Sequence, residues 1–173
     1  MVRAFVSIGS NIRPAKNVRT AIRLLAQHVR VAGISTVYKT RPEERPEQNQ
    51  FYNCVVEIHT DVAPRDLKFQ VLRSIESQLK RQRMPDKYAP RTIDLDLILY
   101  DDLVMNDSDL ILPDPDIVRR FFLAVPLAEL DPDILLPGCD MFLSDFVKLH
   151  PKDGAEVLSA YTASLRQEFL PPK

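Results

Sequence analysis

Two carboxylates stand one residue apart in PRTIDLDLILY (residues 90–100), and an arginine-rich loop runs straight into them. The stretch alternates as a half-buried strand does, with Ile93, Leu95, Leu97 and Leu99 on one face and Asp94 and Asp96 on the other. Two strand rises set their Cβ atoms about 7 Å apart. Such a pair either bridges to neighbouring arginines or shares cations between its oxygens. The preceding KRQRMPDKYAPR (residues 80–91) carries Lys80, Arg81, Arg83, Lys87 and Arg91 against Asp86, and Pro85 and Pro90 keep it from forming one regular element. A solvated charge run is the competing reading of that loop. Carboxylates that hold Mg²⁺ beside guanidiniums that clamp phosphate oxygens in bidentate fashion make a site for a metal-chelated polyphosphate.

Other polar residues converge on the same place. TRPEERPEQNQ (residues 40–50) is longer than a hairpin needs, so two long loops flank one sheet face as lids that would exclude water from phosphoryl transfer. Phe51 and Asn53 have the opposite parity from Tyr52, Cys54, Val56 and Ile58, which aims a ring and an amide towards the aspartates, a combination suited to a flat heterocycle. Glu76 sits at the edge of a helical apolar stripe, one turn from the basic loop, and reads from the residues alone as a boundary glutamate. No G-x-x-x-x-G-K-[ST] is present, so a nucleotide would not be held by a P-loop.

These residues need elements to position them. Residues 3–8 alternate, and Gly9-Ser10-Asn11 reads as a turn. Residues 15–29 carry Val18, Ile22, Leu25 and Val29 at helical spacing. Gly33 breaks the chain before a β-branched strand at 34–39, and a third strand covers 51–58. A second helix opens near Pro64 with Leu67, Val71, Leu72, Ile75 and Leu79 buried, and the aspartate strand is the fourth. The order predicts an α+β protein with a ferredoxin-like β-α-β-β-α-β core. Both helices would cover one sheet face and leave the other free for function. Beyond Tyr100 the extended C-terminal segment reads as irregular packing until a helix at about 155–168, all within a single domain of residues 1–173.

Composition closes off several classes. At 173 residues and 45% apolar, the chain can bury about two-thirds of its unfolded surface. A net charge of −1 provides no global field for nucleic acid or an anionic membrane. No apolar run reaches a signal-peptide core or a membrane span, which predicts a cytoplasmic protein. Cys54 and Cys139 lie far apart, His28, His59 and His150 are scattered, and Cys54 reads as a core thiol. Small-molecule substrates and a monomer are expected.

On GSN (9–11), YKT (38–40), FYN (51–53), RQR followed by APRTIDLDLILY (to 100) and LPDPDIVRRFFLAVPLAE (112–129), the chain resembles the 6-hydroxymethyl-7,8-dihydropterin pyrophosphokinase family of folate biosynthesis. The resemblance implies transfer of a pyrophosphoryl group from ATP to the pterin's hydroxymethyl oxygen. It implies that Asp94 and Asp96 hold two Mg²⁺ ions and that Arg81 and Arg91 clamp the triphosphate, with Arg83 and Arg120 as further phosphate contacts and Glu76 as a nucleotide contact. Phe51 and Phe122 would sandwich the pterin, with Asn53 and Thr40 on its polar edge. Three positions depart from the family pattern: Tyr88 and Ala89 replace tryptophan and glycine, and Asp114, on the ATP side, replaces histidine. Tyr88 keeps an aromatic lid on the pterin. An RNA-binding module of similar topology would need exposed aromatics in a K/R-G-F-x-F pattern that FYNCVVEI lacks. A non-catalytic or diverged pterin- or nucleotide-binding paralogue finds its support in Asp114.

Overall fold

In the computed structural model of the protein, all residues are described except 43, 87, 140, 150–154 and 173, so Lys87 and His150 lie outside the described residues. The sheet is built around β1 (Val2–Ser10), which pairs antiparallel with β4 (Phe51–Thr60) on one side and β5 (Asp94–Tyr100) on the other. Along the far side of β4, β2 (Arg30–Ile34) and β3 (Tyr38–Thr40) both pair with it, and β8 (Glu156–Val157) extends the sheet beyond β3.

The helical face follows from apolar spacing. α1 (Pro14–Leu25) opens on a proline and buries Val18, Ala21, Ile22 and Leu25. The second helical run is continuous, with α2 (Pro64–Asp66), a π-helical stretch (Leu67–Leu72) and α3 (Arg73–Gln78), and it buries Leu67, Val71, Leu72 and Ile75. Both pack on Ala4, Val6, Ile8, Cys54, Val56, Ile58, Leu95 and Leu97. The fully buried Cys54 thiol is pushed up to about 12 by burial, as a core thiol should be.

Four expectations need correction. The strand expected at 34–39 is two pieces. At the break the Val55 N–H donates to Ser35 Oγ (2.9 Å), and the Thr36 and Val37 N–H groups donate to Glu129 Oε2 (2.8 Å) and Thr162 Oγ1 (2.9 Å), so distant side chains draw the backbone out of the ladder. Leu99 does not share a face with Leu97, because β1 pairs Val6 with Leu97 and Phe5 with Leu99, leaving Ile98 as an extra residue in a β-bulge. The turn expected at 9–11 begins two residues late, since Gly9 and Ser10 still pair with Asn53 and Tyr52.

The largest correction concerns the face expected to be free. Past Tyr100 the chain forms a hairpin of β6 (Met105–Asn106) and β7 (Ile111–Leu112), a 3-10 turn (Pro115–Val118), α4 (Phe121–Leu130), α5 (Leu143–Leu149) and, after β8, α6 (Ser159–Phe169). Ile117, Ala124, Leu127, Ile134, Leu136 and Leu143 cluster with Phe5, Val55, Ile98 and Leu99 of the sheet. The second face is therefore covered at one end and open only at the other. α4 escapes sequence reading because five consecutive residues, Leu123 to Leu127, are buried, which erases the amphipathic stripe, and because Pro126 lies inside it.

Candidate active site

The open end of the second face starts at Gly9, which pairs with Asn53 on one side and Asp94 on the other. A Cβ on Gly9 would stand 3.0 Å from Asn53 Oδ1, so hydrogen is what leaves the amide its place. Asn53 Nδ2 donates to Thr40 Oγ1 at 2.8 Å, which orients the amide further. Just beyond, the buried Ser10 and Asn11 anchor the end of the basic loop: Ser10 Oγ donates to Thr92 O (2.6 Å), the Asn11 N–H to Arg91 O (3.2 Å), and the Arg91 N–H to Asn11 Oδ1 (2.8 Å). The GSN segment thus fixes where Arg91 and β5 begin, a role hidden by its turn-like composition.

The two aspartates have unlike surroundings. Asp94 is ion-paired with Arg91 Nη1 and lies 3.7 Å from Arg81 Nη2. The neighbour-arginine reading thus holds for Asp94. Asp96, among the described residues, makes no hydrogen bond or ion pair. Burial first, then the charges of Asp94, Glu76 and Asp114, raise its carboxyl from 3.8 to about 7. Glu76 is not a boundary residue: it is 3% exposed and accepts from the Leu95 N–H (3.0 Å) and Arg83 Nη2 (2.7 Å). Burial raises the Glu76 carboxyl, and the Leu95 N–H opposes that shift. Burial likewise lowers Arg81, against the charge of Asp94. Asp114 caps the 3-10 turn through the Asp116 N–H (2.8 Å), and its carboxyl is raised by burial; Asp116, not Asp114, takes Arg120 Nε (2.9 Å).

Thr40, Phe51, Asn53, Tyr88, Arg91, Asp94, Asp96, Asp114, Arg120 and Phe122 all line one cavity of about 320 Å³. Glu76, Arg81 and Arg83 do not. The cavity walls also include Gly9, Arg41, Arg45 and Asp116, to which sequence reading gave no role in the site. Their signals were weak: a glycine inside a strand, two arginines in a loop of mixed charge, and an aspartate four residues before Arg120. The two long loops meet over the cavity, where Gln48 Nε2 donates to Tyr88 O (3.0 Å), Arg45 pairs with Asp86 (3.1 Å), and Asn11 Nδ2 donates to Gln48 Oε1 (3.2 Å). Arg91 lies 5.5 Å above the Phe51 ring and Arg120 5.6 Å above Phe122, so each aromatic wall carries a guanidinium.

Residues 5–132 match the model of the family described as 7,8-dihydro-6-hydroxymethylpterin-pyrophosphokinase (HPPK). The chain belongs to the HPPK family. The 2-amino-4-hydroxy-6-hydroxymethyldihydropteridine pyrophosphokinase of Bacillus subtilis is 38% identical over 130 residues, covering 73% of this chain and 77% of its own. That of Methylorubrum extorquens is 37% identical over 141 residues, covering 80% and 88%. A solved HPPK-DHPS of Plasmodium falciparum superposes with a TM-score of 0.71 at 13% identity, over 91% of this chain and 47% of that one. The chain thus spans about half of that solved protein, and the likeness is one of fold, a mixed helix and antiparallel-sheet build. As an HPPK member the protein is an ATP-dependent pyrophosphokinase. Among the described residues no helix is long and apolar enough to cross a membrane, and no group of three or more His, Cys, Asp or Glu could hold a metal ion by itself.

Proposed function

We propose that this pyrophosphokinase moves the terminal pyrophosphoryl group of ATP onto the hydroxymethyl oxygen of 6-hydroxymethyl-7,8-dihydropterin, a step of folate biosynthesis, with Asp94 and Asp96 as ligands of two Mg²⁺ ions. The observation that carries the reading is the single cavity in which Asp94, Asp96, Arg91, Arg120, Phe51, Phe122 and the Asn53–Thr40 pair meet. The donor chemistry fits magnesium. Both ligands offer hard carboxylate oxygens, and Asp96 is a poorly compensated anion on the cavity wall whose raised pKa a cation would reverse. When bound, magnesium would neutralise phosphate oxygens and lower the pKa of a coordinated hydroxyl.

The chain's own residues do the rest by placement and charge. Phe51 and Phe122 offer faces for the pterin ring, and Asn53, its NH₂ held by Thr40, keeps a carbonyl oxygen for ring N–H donors. The pterin oxygen bonds to the β-phosphorus as the bond from that phosphorus to the α–β bridging oxygen breaks. The bridging oxygen leaves on AMP with its electron pair, and the hydroxyl proton is released. Arg91 and Arg120 stabilise charge on the migrating group. Arg81 has a buried Nε without a hydrogen-bond partner, a donor that a phosphate oxygen would satisfy. Glu76 acts through β5, by holding the Leu95 N–H and Arg83, and Arg83 would have to leave Glu76 to reach phosphate. Tyr88 closes the pterin end through the joined loops.

The strand order β5-β1-β4 with β2 and β3 both pairing with the far side of β4, these neighbours antiparallel and α1 and α3 on one face, supports a ferredoxin-like core. Two hydrophobic clusters on opposite faces of one sheet support reading residues 1–173 as one pterin pyrophosphokinase domain. Incubation with ATP, Mg²⁺ and the hydroxymethyl-dihydropterin, followed by nucleotide chromatography, should show AMP and a pterin diphosphate. ADP as the nucleotide product would overturn the pyrophosphoryl reading while leaving a kinase.

A further inference from the structure

The charged groups of the cavity wall are mostly committed to one another. Arg45 pairs with Asp86, Arg91 with Asp94 and Arg120 with Asp116. Arg41 stands apart: it lines the cavity, and among the described residues it makes no hydrogen bond or ion pair. Its place is set by the sheet, because Thr40 pairs with Phe51 at the end of β3, and Arg41 is the first residue of the loop beyond. Pro42 follows it and limits its backbone to extended conformations. A guanidinium without a partner among the described residues, next in sequence to the Thr40 that orients the Asn53 amide, is available to an anion without first breaking an ion pair.

We propose that Arg41 is a substrate-contacting residue that binds the pyrophosphoryl group on the pterin side, as it arrives on the hydroxymethyl oxygen and while it remains in the pterin diphosphate product. This rests on the pyrophosphokinase reading of the cavity. The proximity of Arg41 to Thr40 and Phe51 sets it at the pterin end, where the alcohol substrate is uncharged and the product carries a diphosphate. Arg41 therefore discriminates between the two pterins: it contributes to the charged product and to the migrating group, and little to the alcohol. Its own charge is solvent-exposed, so the contribution is moderate and sensitive to salt.

Titration calorimetry with the wild-type protein, Arg41→Gln and Arg41→Lys separates these claims. With Mg²⁺ present, affinity for the pterin diphosphate and for inorganic pyrophosphate should fall about three- to tenfold in Arg41→Gln, as expected for loss of one charge-assisted contact. Arg41→Lys should recover part of it, and the loss should shrink at high salt. Affinity for the hydroxymethyl-dihydropterin and for a non-hydrolysable ATP analogue should not change. Unchanged affinity for pyrophosphate and product would overturn the inference, and so would an equal loss for the ATP analogue, which would put Arg41 on the nucleotide. Product analysis of the wild-type protein is scored separately. AMP formation with an indifferent Arg41→Gln removes this inference alone, whereas absence of AMP removes the pyrophosphokinase reading, and the pyrophosphate titration still decides whether Arg41 binds that anion.

Discussion

Asp94 and Asp96 occupy equivalent positions of one strand face and have opposite electrostatic situations. Asp94 is the anion shared by two largely buried guanidiniums, while Asp96 has no partner among the described residues. Asp94→Asn and Asp96→Asn should each lower turnover by orders of magnitude, but their effects on metal-free stability should differ in sign. Asp94→Asn strands Arg81 and Arg91 and should lower the melting temperature, whereas Asp96→Asn relieves a buried anion and should raise it. A pH series checks the second case. Asp96 is raised from 3.8 to about 7, so between these values the folded state binds more protons than the unfolded one, and this group's contribution makes metal-free stability fall as pH rises through that window. Asp96→Asn should flatten that slope; an unchanged slope would assign it to another group. Asp114 lines the same cavity and adds to the charge that raises Asp96. Asp114→His should tighten binding of a non-hydrolysable ATP analogue several-fold, from the roughly 1 kcal/mol that two charges about 6 Å apart exchange in a solvated site. Added salt should shrink the gain, and unchanged or weaker binding at low salt would remove the repulsion argument.

At the scale of elements, the break between β2 and β3 shows side chains taking over backbone duties. Ser35 accepts the Val55 N–H and donates its own N–H to Val55 O, so a hydroxyl stands in for one rung of the ladder. Ser35→Ala leaves the buried Val55 donor without its acceptor and should cost about 1–3 kcal/mol. Urea denaturation would measure this, and a loss under a few tenths of a kcal/mol would mean that another acceptor replaces the hydroxyl. The break also sets β3 as a separate short strand whose Thr40 meets Phe51 and whose loop begins at Arg41. Helix spacing was legible for α1 and for the run from α2 to α3 because each has one buried stripe. α4 was not, since burial on all sides leaves no period to read.

For the molecule as a whole, α4 decides how much of the second sheet face becomes a cavity. Leu127 is fully buried between α4 and the sheet residues Phe5, Val55, Ile98 and Leu99. Leu127→Ala should destabilise by about 2–5 kcal/mol, the range for a buried leucine truncation, and thermal melts should show it. A shift of less than about 2 °C would mean that this cluster is not integral to the fold. What the sequence by itself determined is whatever depends on local geometry. The two-residue period of a strand assigns Asp94 and Asp96 to one face and Leu95 and Leu97 to the other. The 3.6-residue period marks the helical stripes, and the ordered motifs from GSN to LPDPDIVRR mark the family. What only the tertiary structure decided depends on atoms brought together from distant segments. Arg91 is paired with Asp94 while Arg41 has no partner among the described residues, Glu76 lies buried on the Leu95 N–H, and Ile98 bulges out of the ladder with β1. Pairing and desolvation are properties of the assembled interior, and no repeat along the chain encodes them.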